Sequence, residues 1–256
     1  MSFSIYVSAF NLESNLFDWE NTLNQFSDWA EEVSIGTTCF SNDNTVKLLR
    51  DYVDSKDNVK LVVTDFSLES PTFDGDIKNA ALHETTEYGK ILLDLDEYIP
   101  ISQKPLWVKY LNLLKGSNID GYLIPSVNLC GSMDTYKDIG YKFYLHKPGL
   151  NRGVWKYARN RDGSIDITKS DSTEAIDNFG NLGKFDMLPN NIETLRTNEI
   201  PYVFHKWAVD LDKRIEQNKF WKPVWQNRAK REVDDIILDK RSIENIETFE
   251  HLLPLE

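Results

Sequence analysis

Four short apolar runs punctuate the first 95 residues, and stretches of helical spacing separate them. The runs are residues 2–10 (SFSIYVSAF), 33–37, 59–63 (VKLVV) and 91–95. Between the first two, Leu16, Trp19, Leu23, Phe26 and Ala30 recur every three or four positions with polar residues between them. That spacing predicts an amphipathic helix packed on a sheet. Val46, Leu49 and Tyr52 predict a second helix. Ile77, Ala80, Ala81, Glu84 and Tyr88 predict a third that stops at Gly89. Strand and helix in strict alternation require a parallel sheet covered on both faces. Ligands on such sheets sit beyond the carboxyl ends of the strands. The polar strand ends Asn11, Thr38, Asp65, Asp94 and Asp96 are therefore expected to share one crevice.

The fourth run reads ILLDLDEYIP, residues 91–100. Side chains alternate along an extended chain, so Asp94 and Asp96 are expected on one side and Leu95 in the core. Neighbouring carboxylates repel unless a cation lies between them. A divalent ion such as Mg²⁺ or Mn²⁺ meets that need and leaves positions for phosphate oxygens. The plainer alternative is a strand followed by a solvated acidic turn.

The second half changes character. Residues 106–115 read as a helix. Residues 121–129, 141–146, 153–158, 164–168 and 201–207 read as strands, with a turn at Arg161-Asp162-Gly163. Residues 170–191 are rich in Asp, Asn, Gly and Ser and read as a loop or lid. From 208 onward the pattern is helical, with an acidic tail over 232–256. The expected organisation is one domain over 1–207, with halves 1–100 and 101–207, and a helical extension over 208–256. The chain of 256 residues carries a net charge of −12, which opposes non-specific attraction to nucleic acid or anionic membrane. Its two cysteines, Cys39 and Cys130, have no metal-type spacing and fit a reducing compartment. No signal peptide and no apolar run of membrane-spanning length is present, so a soluble, cytoplasmic protein is expected.

The order of motifs resembles the GT-A fold glycosyltransferases, particularly the family 2 type, over about the first 130 residues. The carriers are Asn11-Leu12-Glu13 after the first strand and the loop Ser41-Asn42-Asp43-Asn44-Thr45 after the second. Lys78-Asn79 in the third helix and Asp94-Leu95-Asp96-Glu97 after the fourth strand complete the set. The resemblance implies a Rossmann-like, mostly parallel sheet flanked by helices, with a mixed β second half. It implies transfer of a sugar from a nucleotide diphosphate sugar to a glycan or other hydroxyl acceptor. It also implies Mn²⁺ or Mg²⁺ on the paired acids, stabilising the departing diphosphate. Thr38 stands where that family often has an acid contacting the nucleotide, so Asp65 becomes the better candidate for the base or ribose. The donor-binding set implied is Asn11, Thr38, Asp43, Asp65, Lys78, Asn79 and Asp94. The metal set is Asp94, Asp96 and His205, the last because such enzymes often complete the metal shell with a late histidine.

Each assignment has a structural competitor. His205 in PYVFHKW is either a ligand or a core histidine; imidazole would favour Mn²⁺ over Mg²⁺. Lys78 neutralises a phosphate or is a solvated first-turn lysine. Glu97 either joins the acid cluster or pairs with a basic side chain. His83 and His146 read as structural, and His251, in the tail, reads as a surface residue. An inverting enzyme needs a carboxylate to take the acceptor proton; Glu174 is the candidate, with Asp177 and Asp134 as rivals, and each is otherwise a loop acid or helix cap. The stretch 219–231 interleaves bases with Phe220, Trp221 and Trp225. It is either a buried amphipathic helix or a face for phosphate, glycan or nucleic acid. A nucleotidyltransferase, a nucleotide-sugar-binding module without turnover and a DNA-modifying sugar transferase remain as alternatives. The nucleotidyltransferase is disfavoured because Ala9-Phe10-Asn11-Leu12 is not a glycine-rich phosphate loop.

Overall fold

A computed structural model describes residues 2–13, 18–68, 73–133, 135–148, 158–159, 165–166, 192–194, 201–210, 212–213 and 247–248. The first half alternates as its pattern requires: β1 (Phe3–Ser8), α1 (Trp19–Trp29), β2 (Glu32–Thr38), α2 (Thr45–Val53), β3 (Val59–Thr64), α3 (Phe73–His83) and β4 (Gly89–Leu92). After it come β5 (Glu97–Tyr98), a 3-10 turn at Ile101–Gln103, α4 (Lys104–Gly116), β6 (Gly121–Cys130) and β7 (Thr135–His146). The short strands β8 (Ala158–Arg159) and β9 (Ile165–Asp166) form an antiparallel pair, at the place where Arg161-Asp162-Gly163 predicts a turn. Last are β10 (Ile192–Thr194), β11 (Val203–Ala208) and β12 (Glu247–Thr248).

The main sheet runs β3-β2-β1-β4-β7-β6-β11-β5. Strands β3, β2, β1 and β4 are mutually parallel, β7 joins them antiparallel, and β11 lies parallel to β6 and antiparallel to β5. This is the mostly parallel α/β sheet with a mixed second half that the sequence implies, flanked by helices.

Alternation along the strands divides the core cleanly. Phe3, Ile5 and Val7 of β1, Val33 and Ile35 of β2, and Ile91 with Leu93 pack with Leu23, Phe26 and Trp29 of α1, Leu49 of α2, and Trp107, Leu111 and Leu114 of α4. Tyr6 and Leu92 point the other way, against Ala81 and Leu82 of α3. Burying a side chain of this size is worth about 1.5–3 kcal/mol. The two faces thus fix both helix layers and strand register.

Three boundaries differ from expectation. Helix α3 ends at His83 rather than at Gly89, because Glu84 and Thr85 turn their N–H groups back to Ala81 and Leu82. The Thr85 hydroxyl also donates to Leu82, and Thr86 leaves to donate to Glu32. Gly89 opens β4, where an added Cβ would meet a Leu111 methyl at 2.1 Å. Its bareness serves the packing of α4 and does not end a helix. Lastly, Glu247–Thr248, expected in a helical tail, pair with Thr135 and Tyr136 of β7, so strand pairing overrides local preference there. The expected loop 170–191 and the basic aromatic stretch 219–231 lie outside the described residues. Among those described, no helix is long and apolar enough to cross a membrane.

Two tests follow from this packing. A Cβ at Gly36 would lie 2.4 Å from the Ile77 carbonyl oxygen, where α3 crosses β2, whereas one at Gly116 meets nothing within 4 Å. Gly36→Ala should cost about 1–3 kcal/mol, and Gly116→Ala should be neutral or stabilise by about 0.4–1 kcal/mol. Thermal unfolding checks both, and equal melting points would contradict the close crossing.

The second test concerns buried Glu32. Burial raises its pKa, but Lys60, Ser4 and the Thr86 N–H outweigh that and bring it down to about 2. A carboxyl depressed in the folded state contributes stability that is present above its ordinary value of 4.5 and lost as pH falls toward 2. Wild type should lose on the order of 3 kcal/mol over that window, and Glu32→Gln should show a flatter dependence. Identical slopes in denaturant titrations at several pH values would contradict it.

Candidate functional site

Strand β4 carries the chain to the sheet rim and stops at Leu92, so Asp94 and Asp96 are not on a continuous strand. The Glu97 N–H donates to the Asp94 carbonyl at 3.0 Å and closes a tight turn over 94–97. The expectation that strand alternation sets the two carboxylates side by side is therefore corrected. The turn gives each acid its own partner.

Asp94 faces α3. Its Oδ1 accepts from Lys78 Nζ at 2.6 Å, and the same ammonium reaches Asp74 Oδ2 at 3.2 Å. Ser8 at the end of β1 donates to Asp74 Oδ1 at 2.8 Å. Lys78 is buried, so it is not a solvated lysine. Burial alone would lower its pKa, but the two facing carboxylates overcome that and raise it above the ordinary lysine value. The site thus holds a permanent buried cation with two anions. Asn79, the next residue of α3, is half-buried.

Asp96 faces β11. Its Oδ2 lies 3.1 Å from His205 Nε2, and His205 Nδ1 lies 2.8 Å from Asn128 Oδ1 on β6. The Lys206 N–H donates to the Asp96 carbonyl at 2.7 Å, which ties the turn to β11 beside the histidine. Strand register explains the meeting: His205 pairs with Asn128 across β6 and with Glu97 across β5. Residues 96 and 205 are 109 apart in sequence and are brought within hydrogen-bonding distance.

Glu97 is buried beneath the turn. It accepts from the Asp94 N–H at 2.8 Å and from the Tyr144 hydroxyl at 2.6 Å. Tyr144 lies 3.0 Å from Ser126 Oγ. Its single proton goes to Glu97, so Ser126 is the donor in the second contact. Burial, and then the Glu97 carboxylate, hold the Tyr144 phenol well above its ordinary pKa, so it stays a donor. Ser126 and Asn128 alternate with apolar Val127 toward the carboxyl end of β6. That polar i, i+2 pair was the available sequence signal for both. Tyr144 and Ser8 had no such signal, and Asp74 only its place in a first helical turn.

The other predicted residues form the neighbouring rim. Asn11 has φ 49°, a left-handed conformation asparagine tolerates, and its Oδ1 accepts from the Asn42 N–H at 2.9 Å. Asp43 accepts from the Glu13 and Thr45 N–H groups, and Glu13 accepts from the Asn44 N–H. The two loops that carry the family resemblance are thus laced together. Thr38 is fully buried and donates to the Phe66 carbonyl at 2.6 Å, joining the ends of β2 and β3. Asp65 is exposed next to Phe66. His146 is buried against the Tyr6 hydroxyl, the structural role expected of it. Glu174, Asp177 and Asp134 lie outside the described residues.

Asp96 and His205 fit a divalent cation by their chemistry. Asn128 Oδ1 can only accept, so it holds a proton on Nδ1, and Nε2, facing Asp96 Oδ2, is the nitrogen whose proton a cation would replace. A carboxylate and a neutral imidazole nitrogen suit Mn²⁺. Among the described residues no group of three or more His, Cys, Asp or Glu gathers as a complete protein cage.

No protein-family model matches the sequence, and no curated protein matches it. Among solved structures, the chain is similar to Staphylococcus aureus TarS 1–349 in complex with UDP-GlcNAc, at 18% identity over 91% of this chain and 68% of that one, with a TM-score of 0.41. It spans 41% of a longer TarS chain. It is similar to the mannosyltransferase PcManGT from Pyrobaculum calidifontis in complex with GDP-Man and Mn²⁺, at 13% identity over 89% and 69% of the two chains, with a TM-score of 0.45. It is also similar to glucosyl-3-phosphoglycerate synthase from Mycobacterium tuberculosis in complex with Mn²⁺, UDP and phosphoglyceric acid, at 19% identity over 49% and 43%, with a TM-score of 0.33. The α/β sheet flanked by helices stands on this chain's own strand pairing, and its chemistry rests on its own residues.

Proposed function

We propose that the protein is a metal-dependent glycosyltransferase that moves a sugar from a nucleotide diphosphate sugar to an acceptor hydroxyl. The observation that carries the reading is the 3.1 Å approach of His205 Nε2 to Asp96 Oδ2 at the carboxyl rim of the sheet. Two residues far apart in sequence converge there as a divalent-cation pair, leaving further positions for diphosphate oxygens. When bound, Mn²⁺ or Mg²⁺ supplies the positive charge that stabilises the departing diphosphate.

The chain's own residues then divide the work. Asp96 and His205 hold the cation. Asp94, fixed by Lys78, presents its carboxylate to ribose or donor-sugar hydroxyls, and Lys78 with Asn79 adds positive and polar character on that side. Asp65, with Asn11, Thr38 and Asp43 shaping the adjoining loops, lines the nucleoside side. Glu174, or Asp177 in its place, takes the acceptor proton if the reaction inverts configuration.

The test is a thermal-shift screen of UDP-, GDP- and TDP-sugars with and without Mn²⁺, followed by a donor hydrolysis assay. One donor should raise the melting temperature only when Mn²⁺ is present, and should be slowly hydrolysed. Asp96→Ala should keep the wild-type fold by circular dichroism, lose the Mn²⁺-dependent shift, and lower turnover on the order of 10²–10³-fold. Stabilisation without turnover would leave a binding module. No response to any donor, or an Asp96→Ala variant with undiminished turnover, would overturn the assignment.

A further inference from the structure

We propose that Asn128 is a positioning residue that acts through His205, fixing the imidazole so that Nε2 is the atom offered to a divalent cation shared with Asp96. The inference rests on the metal reading above and extends it to a residue outside the resemblance. Strand pairing generates the contact. Asn128 and His205 are directly paired between parallel β6 and β11, so their side chains rise on the same face of the sheet. His205 Nδ1 lies 2.8 Å from Asn128 Oδ1.

An amide oxygen accepts and does not donate, so the bond requires the proton on Nδ1. Nε2 faces Asp96 Oδ2 at 3.1 Å, so both ring nitrogens meet oxygen acceptors; a divalent cation would take the place of the Nε2 proton while Nδ1–H stays on Asn128. Losing Asn128 removes the acceptor that holds Nδ1–H once a cation takes Nε2. The sequence is economical here: Val127 and Leu129 sit in the core cluster with Phe204, while Asn128 between them faces the site. An apolar residue at 128 would satisfy the strand equally well.

The experiment titrates Mn²⁺ by calorimetry into the full chain of wild type, Asn128→Leu, Asn128→Asp, His205→Ala and the double variant Asn128→Leu/His205→Ala. Asn128→Leu should weaken Mn²⁺ binding about 10–100-fold. Asn128→Asp keeps an acceptor oxygen on Nδ1 and should bind at least as tightly as wild type. In the His205→Ala background, Asn128→Leu should change nothing further, because its effect passes through the ring. Melting curves confirm that each variant is folded, and Asn128→Ala replaces the leucine variant if that one is not. Equal losses from Asn128→Leu in both backgrounds would show a general structural role and overturn the proposal. So would wild-type affinity in Asn128→Leu. Absence of Mn²⁺ binding by wild type would overturn the metal reading itself, and this inference with it.

Discussion

Strand β11 is inserted between β6 and β5, and that insertion makes the site. Paired with β6 on one side and β5 on the other, β11 puts His205 in register with both Asn128 and Glu97. A slip of one residue would send His205 to the opposite face, where Phe204 now stacks on Tyr98 at 5.0 Å. Apolar packing of Phe204 with Val127, Leu129 and Tyr136 on that face therefore sets the polar geometry on the other. The register of a late strand, and not the acidic motif alone, decides whether Asp96 has a partner.

The turn over 94–97 is held from three sides. Glu97 locks it from below through Tyr144, Lys78 pins Asp94 from α3, and the Lys206 N–H pins the Asp96 carbonyl from β11. Each contact uses a different layer of the fold. Buried charge is costly unless paired, and Lys78 is paired twice, so the acidic rim does not rely on a bound ion to offset every carboxylate. This separates the two acids chemically. Asp94 belongs to an internal ion pair with Lys78, and Asp96 faces His205 at 3.1 Å.

The parallel half was legible because its apolar residues repeat at periods that only strands and covering helices share, as with Ile5, Val7, Leu23 and Phe26. The rim positions of Asn11, Thr38, Asp65 and the acids followed from the same topology. What the pattern could not supply was pairing. The expected alternation of Asp94 and Asp96 failed because a turn hydrogen bond, invisible in composition, intervenes after Leu92. Lys78 was weighed as a surface or phosphate-binding residue because its burial depends on Asp74 one helical turn earlier. The polar i, i+2 spacing of Ser126 and Asn128 marked a position but not a partner, and Tyr144 carried no such mark, because strand register decides what each meets. The base candidates Glu174 and Asp177 lie outside the described residues, and their part in the proposal rests on sequence.

Pulsed electron paramagnetic resonance of the Mn²⁺-loaded protein with a nucleoside diphosphate tests the central claim most directly. The account predicts a nitrogen coupling from one imidazole together with phosphorus coupling, and loss of the nitrogen signal alone in His205→Ala. A wild-type spectrum with phosphorus coupling and no histidine nitrogen would place the ion elsewhere and contradict it.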